Sequence, residues 1–259
     1  MSDDVLYEKR ADGIGLITLN RPESLNAMGG ELVPMLGQFL SECEADHEVR
    51  CVVLTGNGRG FCAGGDVRGM QSRNSAALAT PGAERPERNI VTQIEHAARG
   101  LREMHDATAL QLHEMLKPTV GLINGVAVGA GLSLALACDV RIVSDQARFG
   151  TAFKNVGLSG DFGGTYLLPR IVGMGRAREL YLTAEIINAE RAFEWGIANR
   201  VVPHAALMEE GLAFAATIAN GPTATYARMK ANWNVAETSN FQTLLDAEAL
   251  QQQIGRAHV

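Results

Sequence analysis

The chain is expected to be an α/β protein with a helical tail, and three observations carry that expectation. Short runs rich in branched apolar residues, such as Arg50-Cys-Val-Val-Leu-Thr55, alternate with helical patterns over residues 1–200. Glycine-rich passages follow the strand-like runs at Gly56–Asp66 and Gly125–Gly131. Beyond Gly175 the helical period dominates, with Gly-Pro or turn residues between segments.

Taken in order, Gly13-Ile-Gly-Leu-Ile-Thr-Leu19 reads as a strand and Asn20-Arg-Pro-Glu-Ser-Leu-Asn26 as a loop. The spacing of Leu32, Met35, Leu36, Phe39 and Leu40 predicts a helix from about Gly30 to Ala45. A buried strand over 50–55 then enters Gly56-Asn-Gly-Arg-Gly-Phe-Cys-Ala-Gly-Gly-Asp66. That loop is no phosphate-cradling P-loop, because no Gly-Lys-Ser/Thr follows, and it lacks the third glycine of the dinucleotide pattern. Residues 68–90 are polar and read as a lid. Ile90–Leu116 is a long helical pattern.

Thr119–Cys138 is twenty residues without a charge. Such a run is long enough for a membrane helix, and Gly121/Gly125/Gly129 has small-xxx-small spacing. Asn124-Gly125 divides it, however, and the flanks carry neither an aromatic belt nor a basic cluster. The run is therefore split into a strand (120–123), a turn, a tight passage Gly129-Ala130-Gly131 and a short helix (132–137). Glycines there either turn N–H groups toward a negative oxygen or let strand and helix pack closely. Next come a strand over 139–144, an extended stretch over 147–150, and a helix starting at Phe162 after the glycine-rich loop that holds Asp161. Helices are expected over 175–182, 189–195, 205–219, 223–235 and 241–253.

With 259 residues, 46% of them apolar and 20% charged, the chain has the composition of a soluble globular protein. A net charge of −6 argues against a nucleic-acid surface. Cys43, Cys51, Cys62 and Cys138 form no paired spacing and read as reduced core thiols of a cytoplasmic protein. The N-terminus, MSDDVLYEKR, is polar and does not read as a signal peptide. His47, His96, His105, His113 and His204 fall on expected surface helices or loops without metal-ligand spacing, so no metal is expected. Ile254-Gly-Arg-Ala-His-Val259 is what the nucleotides ATCGGAAGAGCACACGTC would encode, and those look like a sequencing adapter. These six residues are read as a non-native tail, an expectation that resequencing the locus from genomic DNA checks.

Leu19-Asn-Arg-Pro-Glu-Ser-Leu-Asn-Ala27, Gly60-Phe-Cys-Ala-Gly-Gly-Asp66, Lys117-Pro118, Asn124-Gly125 with Gly129-Ala-Gly131, Cys138-Asp139, and Ala192-Phe-Glu-Trp-Gly-Ile197 before Val201-Val-Pro203 together resemble the crotonase (enoyl-CoA hydratase/isomerase) superfamily. The resemblance covers about residues 5–253. It implies a spiral of ββα units over 1–200 and a helical C-terminal region, 201–253, that associates the chain as a homotrimer or dimer of trimers. It further implies an acyl-CoA thioester as substrate, with no separate cofactor and no membrane or nucleic-acid partner. Matched residue by residue, the backbone N–H groups of Gly65 and Ala130 would hold the thioester oxygen, and Asn26, Ala27, Ala63, Gly64, Asp66, Ser133 and Phe153 would surround the ligand. Asp66 has an alternative reading as a helix N-cap. Leu25 stands where many relatives have a basic residue that meets the CoA phosphates, leaving Arg21, Arg68 or Lys230 as substitutes.

Enoyl-CoA hydratases place two glutamates where this chain has Ser133 and Phe153. Hydration by that route is not expected. The acid in the neighbouring loop is Asp161, which resembles the single aspartate of relatives that shift enoyl-CoA double bonds and the nucleophilic aspartate of 4-chlorobenzoyl-CoA dehalogenases. Aspartate, ordinarily with a pKa of about 3.9, is a weak base, so the first role calls for burial beside Leu158, Phe153 and Phe162. The dehalogenases also use a histidine on the helix before Lys-Pro. His105 lies one residue out of that register, and those enzymes have tryptophan in place of Phe153. As an alternative, Asp161 caps the Phe162 helix. Three functions follow: a double-bond isomerase first, another reaction on a CoA thioester (hydratase-type, hydrolase, lyase, dehalogenase) second, and a non-catalytic binding or assembly subunit third.

Overall fold

A computed structural model describes residues 3–66 and 90–256. The expected lid (68–90, save Ile90), Arg68 and the last three residues of the tail lie outside the described residues. The strands are β1 (Val5–Lys9), β2 (Ile14–Leu19), β3 (Cys51–Gly56), β4 (Gly60–Cys62), β5 (Thr119–Ile123), β6 (Val126–Val128), β7 (Val140–Ser144), β8 (Arg148–Gly150), β9 (Ile187–Asn188) and β10 (Arg200–Val202). They form two sheets, ordered β1-β2-β3-β5-β7-β10 and β4-β6-β8-β9.

Successive turns of the chain each add one strand to each sheet. β3 runs into β4, β5 into β6 and β7 into β8, and like strands pair in parallel from turn to turn. Helices close the turns: α1 (Leu32–Ala45), α2 (Ile90–His105), a π-helical turn (Asp106–Leu110), α3 (Gln111–Glu114), α4 (Ala130–Ala137), α5 (Gly164–Val172), α6 (Met174–Thr183) and α7 (Ala189–Glu194). This is the expected spiral of ββα units.

Strand β3 shows why the run over 50–55 has no polar face. Val52 and Leu54 enter the larger core, while Cys51 and Val53 enter a smaller core on the opposite face of the sheet. That second core is covered by α8 (Leu207–Ala219) through Leu207, Ala215 and Ala219. The chain ends in α9 (Thr223–Thr238) and α10 (Phe241–Arg256), which pack on one another. α9 is tied back to the core at a buried Lys230, whose Nζ donates to Lys117 O at 3.1 Å and to Asp139 Oδ2 at 2.7 Å.

The uncharged run over 119–138 is divided, as expected, into a strand (β5) and a short helix (α4), but a further strand, β6, stands between them and the helix starts at Ala130 rather than Leu132. No helix among the described residues is long and apolar enough to cross a membrane. The expected list of elements lacks β1, β4, β6, β9 and β10. Four of these are only two or three residues long, too short to display a period. β1 is a partly exposed antiparallel edge strand with an irregular burial pattern.

Gly131 itself serves close packing. A Cβ there would collide with the carbonyl oxygen of Cys62 and stand 2.7 Å from its carbon. The Gly131→Ala variant is expected to lose about 3 kcal/mol, because neither backbone segment has room to yield. Urea denaturation measures this, and an unchanged midpoint at equal slope counts against it.

All four cysteines are free and buried. Burial pushes the Cys43 thiol up to about 11 and those of Cys51, Cys62 and Cys138 up to about 12. The native protein should therefore resist an aromatic disulfide reagent at pH 8 and release all four thiols on unfolding. Because these folded-state values are raised, the stabilisation linked to them is complete below the unfolded value, about 8.5. It disappears as pH rises through 11 to 12.

Candidate active site

The site forms where β4 and β6 end side by side. After β4 the chain passes through Ala63-Gly64-Gly65, with Gly64 at φ +85°. After β6 it turns at Gly129, φ +59°, into α4, whose first residue is Ala130. A Cβ on Gly64 would lie 2.8 Å from Val128 O and 3.3 Å from Ala130 N, so glycine is what lets the two passages meet. The N–H of Ala130, at the first position of a helix, has no partner within that helix. The helix dipole adds to its pull on a negative oxygen.

A cavity of about 400 Å³ opens over this junction. Ala63, Gly64, Gly65, Ala130, Phe153 and Asp161, all expected at the site from the sequence, line it. The other expected residues stand differently. Asn26 is fully buried, and its side chain is spent inside the fold: Oδ1 accepts from Arg21 N at 2.7 Å, and Nδ2 donates to Asn57 O and Gly60 O. Ala27 is buried, and its carbonyl accepts from Arg21 Nη1 at 2.7 Å. Asp66 Oδ2 lies 3.5 Å from Arg21 Nη2. Its alternative as a helix cap concerns residues outside the described ones.

Ser133 was expected to line the pocket but is buried instead. Its hydroxyl donates to the backbone carbonyl of Asp161 at 2.8 Å. It therefore fixes the loop that carries the acid. Two expected substitutes for a CoA-phosphate cation are also committed elsewhere. Lys230 is buried on Asp139, and Arg21 contacts Ala27 O, Asp66 and Asp4.

Asp161 sits in strained backbone. Gly160, Phe162 and Gly163 have φ of +142°, +51° and +79°, and Phe162 pays the usual cost of a left-handed side-chain residue. The helix expected at Phe162 begins at Gly164, behind Gly163 as its N-cap, so Asp161 is not the cap. Of the three apolar neighbours expected around it, Phe153 and Phe162 are themselves buried, while Leu158 is exposed.

Two groups meet the Asp161 carboxylate at Oδ1. Phe162 N donates to it at 3.0 Å, and His105 Nε2 lies 2.5 Å away. His105 closes α2, with its ring edge-on to Phe162 at 4.8 Å. The sequence reading left this histidine among the surface ones. The signal that could have found it was its register, one residue away from that of the dehalogenase histidine. A π-helical turn, Asp106–Leu110, follows His105 directly.

Tyr181 completes the surroundings. Its ring stacks on Phe153 at 5.9 Å, and burial, reinforced by the Asp161 charge, pushes its phenol up to about 12. Among the described residues, no cluster of three or more His, Cys, Asp or Glu could hold a metal ion.

Comparison with known proteins shows the family. Residues 9–256 match the sequence profile described as enoyl-CoA hydratase/isomerase. The chain is 37% identical over 236 residues to the 1,2-epoxyphenylacetyl-CoA isomerase of Escherichia coli (strain K12), covering 91% of this chain and 84% of that one. It is 35% identical to the short-chain-enoyl-CoA hydratase of Clostridium acetobutylicum, covering 86% and 78%. Among solved structures, the enoyl-CoA hydratase/isomerase from Cupriavidus metallidurans CH34 superposes with a TM-score of 0.83 at 28% identity, covering 98% of this chain and 88% of that one. With two backbone passages meeting over a cavity, on a spiral shared with these proteins, the chain belongs to the enoyl-CoA hydratase/isomerase family, a family of acyl-CoA-processing enzymes.

Proposed function

We propose that this enzyme moves a double bond along the acyl chain of an enoyl-CoA, with Asp161 as the single proton carrier. The observation that carries the reading is the site's acid inventory. Asp161 lines the cavity that also holds Gly65 and Ala130, while the two positions where hydratases place glutamate hold a spent hydroxyl, Ser133, and a buried ring, Phe153. A hydratase needs two groups to orient and split one water. A proton shuttle needs one.

In this mechanism the thioester oxygen of a 3-enoyl-CoA accepts from the N–H groups of Gly65 and Ala130. Asp161 Oδ2 takes a proton from the carbon next to the thioester, and the electron pair delocalises into a dienolate whose charge rests on that oxygen. The protonated carboxyl then returns the same proton two carbons further on, giving the 2-enoyl-CoA. His105 donates from Nε2 to Oδ1, which orients the carboxylate and leaves Oδ2 for the substrate. The name of the Escherichia coli relative, an isomerase of a CoA thioester, supports the reading, whereas the Clostridium relative is named a hydratase. Exposed Trp233, Phe241 and Leu250 on the terminal helices support self-association as a trimer or dimer of trimers.

A second reading draws on the 2.5 Å contact between His105 and Asp161. Asp161 would attack an activated aryl carbon of an aryl-CoA, expelling a halide and forming an aryl ester. Water activated by His105 would then hydrolyse that ester. Phe153 in place of tryptophan weighs against it.

Incubation with 3-enoyl-, 2-enoyl- and aryl-CoA thioesters, followed by mass spectrometry, separates these readings. The expected product is the 2-enoyl isomer at unchanged mass. Water addition or halide loss would overturn the isomerase reading, and tight binding without turnover would favour a non-catalytic subunit. His105→Ala is expected to lower kcat about tenfold without changing the product, since it orients the base. Under the second reading the same variant accumulates a covalent aryl-enzyme, visible as a mass increase of the intact protein.

A further inference from the structure

The two halves of the site stand on separate stretches of chain. Ala130 opens α4 after β6, whereas Asp161 lies in the loop between the short turn at 153–156 and α5. Ser133 Oγ ties that loop to α4 through the Asp161 carbonyl, at 2.8 Å. A single bond to the backbone leaves the loop free to pivot, and a misplacement of about 1 Å costs roughly 10²-fold in rate. A second point of support is needed.

Tyr181, on α6, stands between the two halves. On one side its ring lies parallel to that of Phe153, with 3° between the planes. Phe153 in turn borders the passage into α4. A Cβ at Gly129, the residue before Ala130, would lie 3.9 Å from Cε1 and Cζ of the phenyl ring. The adjoining Thr151 is fastened to the same helix as Tyr181, its Oγ1 donating to Leu180 O at 2.8 Å. On the other side Tyr181 meets the acid loop. A Cβ at Gly160 would lie 3.5 Å from Tyr181 Cε1, and one at Gly164 would lie 2.8 Å from its hydroxyl oxygen. These two glycines bracket Asp161. Both stretches also carry a left-handed residue that is not glycine, Ala152 before Phe153 and Phe162 after Asp161, each at φ +51°. Such backbone persists only where packing holds it in place. A planar, rigid ring wedged between the two stretches transmits position from one to the other.

We propose that Tyr181 is a positioning residue: its ring sets the gap between the Asp161 carboxylate and the Ala130 N–H, acting through Phe153 on one side and through the Gly160–Gly164 loop on the other. The assignment rests on the reading of Asp161 as the acid and Ala130 as an oxyanion donor.

Substitutions that keep or remove the ring test it. Tyr181→Leu is expected to lower kcat for a 3-enoyl-CoA about 10²-fold, with KM within about threefold, while Tyr181→Phe, which keeps the stack, stays within about threefold in both. Urea denaturation gives the folded fraction of each variant, so that a loss of folded enzyme is not counted as a loss of kcat. Phe153→Leu breaks the same stack from the other side and takes over the test if Tyr181→Leu fails to fold. With both folded, the double variant should lose about as much as the worse single one, because the two residues act as one unit. The nitrogen NMR signal of His105 Nε2, which meets Asp161 Oδ1, follows the loop without requiring turnover. It should move in the leucine variants and stay in place in Tyr181→Phe. Equal kcat losses in the phenylalanine and leucine variants would assign the effect to the hydroxyl and overturn the inference. So would losses that multiply in the double variant, or a His105 signal unmoved by loss of the ring. If the protein turns over no 3-enoyl-CoA, the isomerase reading falls, and the His105 signal alone decides the role of Tyr181. If isomerisation proceeds and the leucine variants keep full kcat, the positioning role falls and the isomerase reading stands.

Discussion

Replacing Asp161 by asparagine should lower kcat for isomerisation of a 3-enoyl-CoA by roughly three orders of magnitude. The asparagine matches the shape of the carboxylate. Its amide oxygen can still accept from Phe162 N, and the Ser133 bond to the backbone carbonyl is untouched. An amide cannot take up and return a proton, so the loss belongs to chemistry. KM should change little, because the proposed thioester contacts come from backbone N–H groups elsewhere. Steady-state kinetics gives both constants, and exchange of solvent deuterium into the carbon next to the thioester reports proton removal directly. An asparagine variant with undiminished kcat would remove Asp161 from the mechanism. Thermal melting beside the kinetics guards against a trivial cause, with the two proteins expected to unfold at similar temperatures.

Ala130→Pro is the matching experiment on the other half of the site. Proline is well tolerated at the first position of a helix, where its missing N–H has no intrahelical partner to lose. Ala130 occupies that position in α4. The substitution thus deletes one proposed oxyanion donor, with little change expected in the fold. The expected loss is about 10²- to 10³-fold in kcat, the usual effect of removing one such donor. It should fall on kcat more than on KM, because the bond strengthens as charge moves onto the oxygen. A folded variant with full activity would show that the thioester oxygen does not sit at Ala130. The neighbouring Gly131→Ala behaves oppositely, losing stability through its clash with Cys62. The pair of variants separates the two uses of glycine-rich backbone within one short passage.

Much of the architecture was legible because its causes are local. Runs such as Cys51-Val-Val-Leu54 are buried on both faces and so are apolar at every position. The helix Leu32–Ala45 announces itself through a periodic face, with Leu32, Leu36 and Leu40 fully buried. Short strands such as Gly60–Cys62 and Val126–Val128 carry no such signal. They exist because neighbouring turns of the spiral supply their hydrogen-bond partners.

The amino-acid sequence by itself determined the family, the glycine passages that would hold a thioester, and the absence of glutamate at Ser133 and Phe153. These are matters of residue identity at fixed spacing. Only the tertiary structure decided where the side chains are spent. It shows Ser133 holding the Asp161 loop, Asn26 buried in its own turn, and Lys230 paired with Asp139 rather than free for a phosphate. It also brings together His105 and Asp161, 56 positions apart. No local propensity records that meeting, because it depends on how α2 is seated against the loop before α5. Helical period alone cannot tell an α-turn from a π-turn within a single pass.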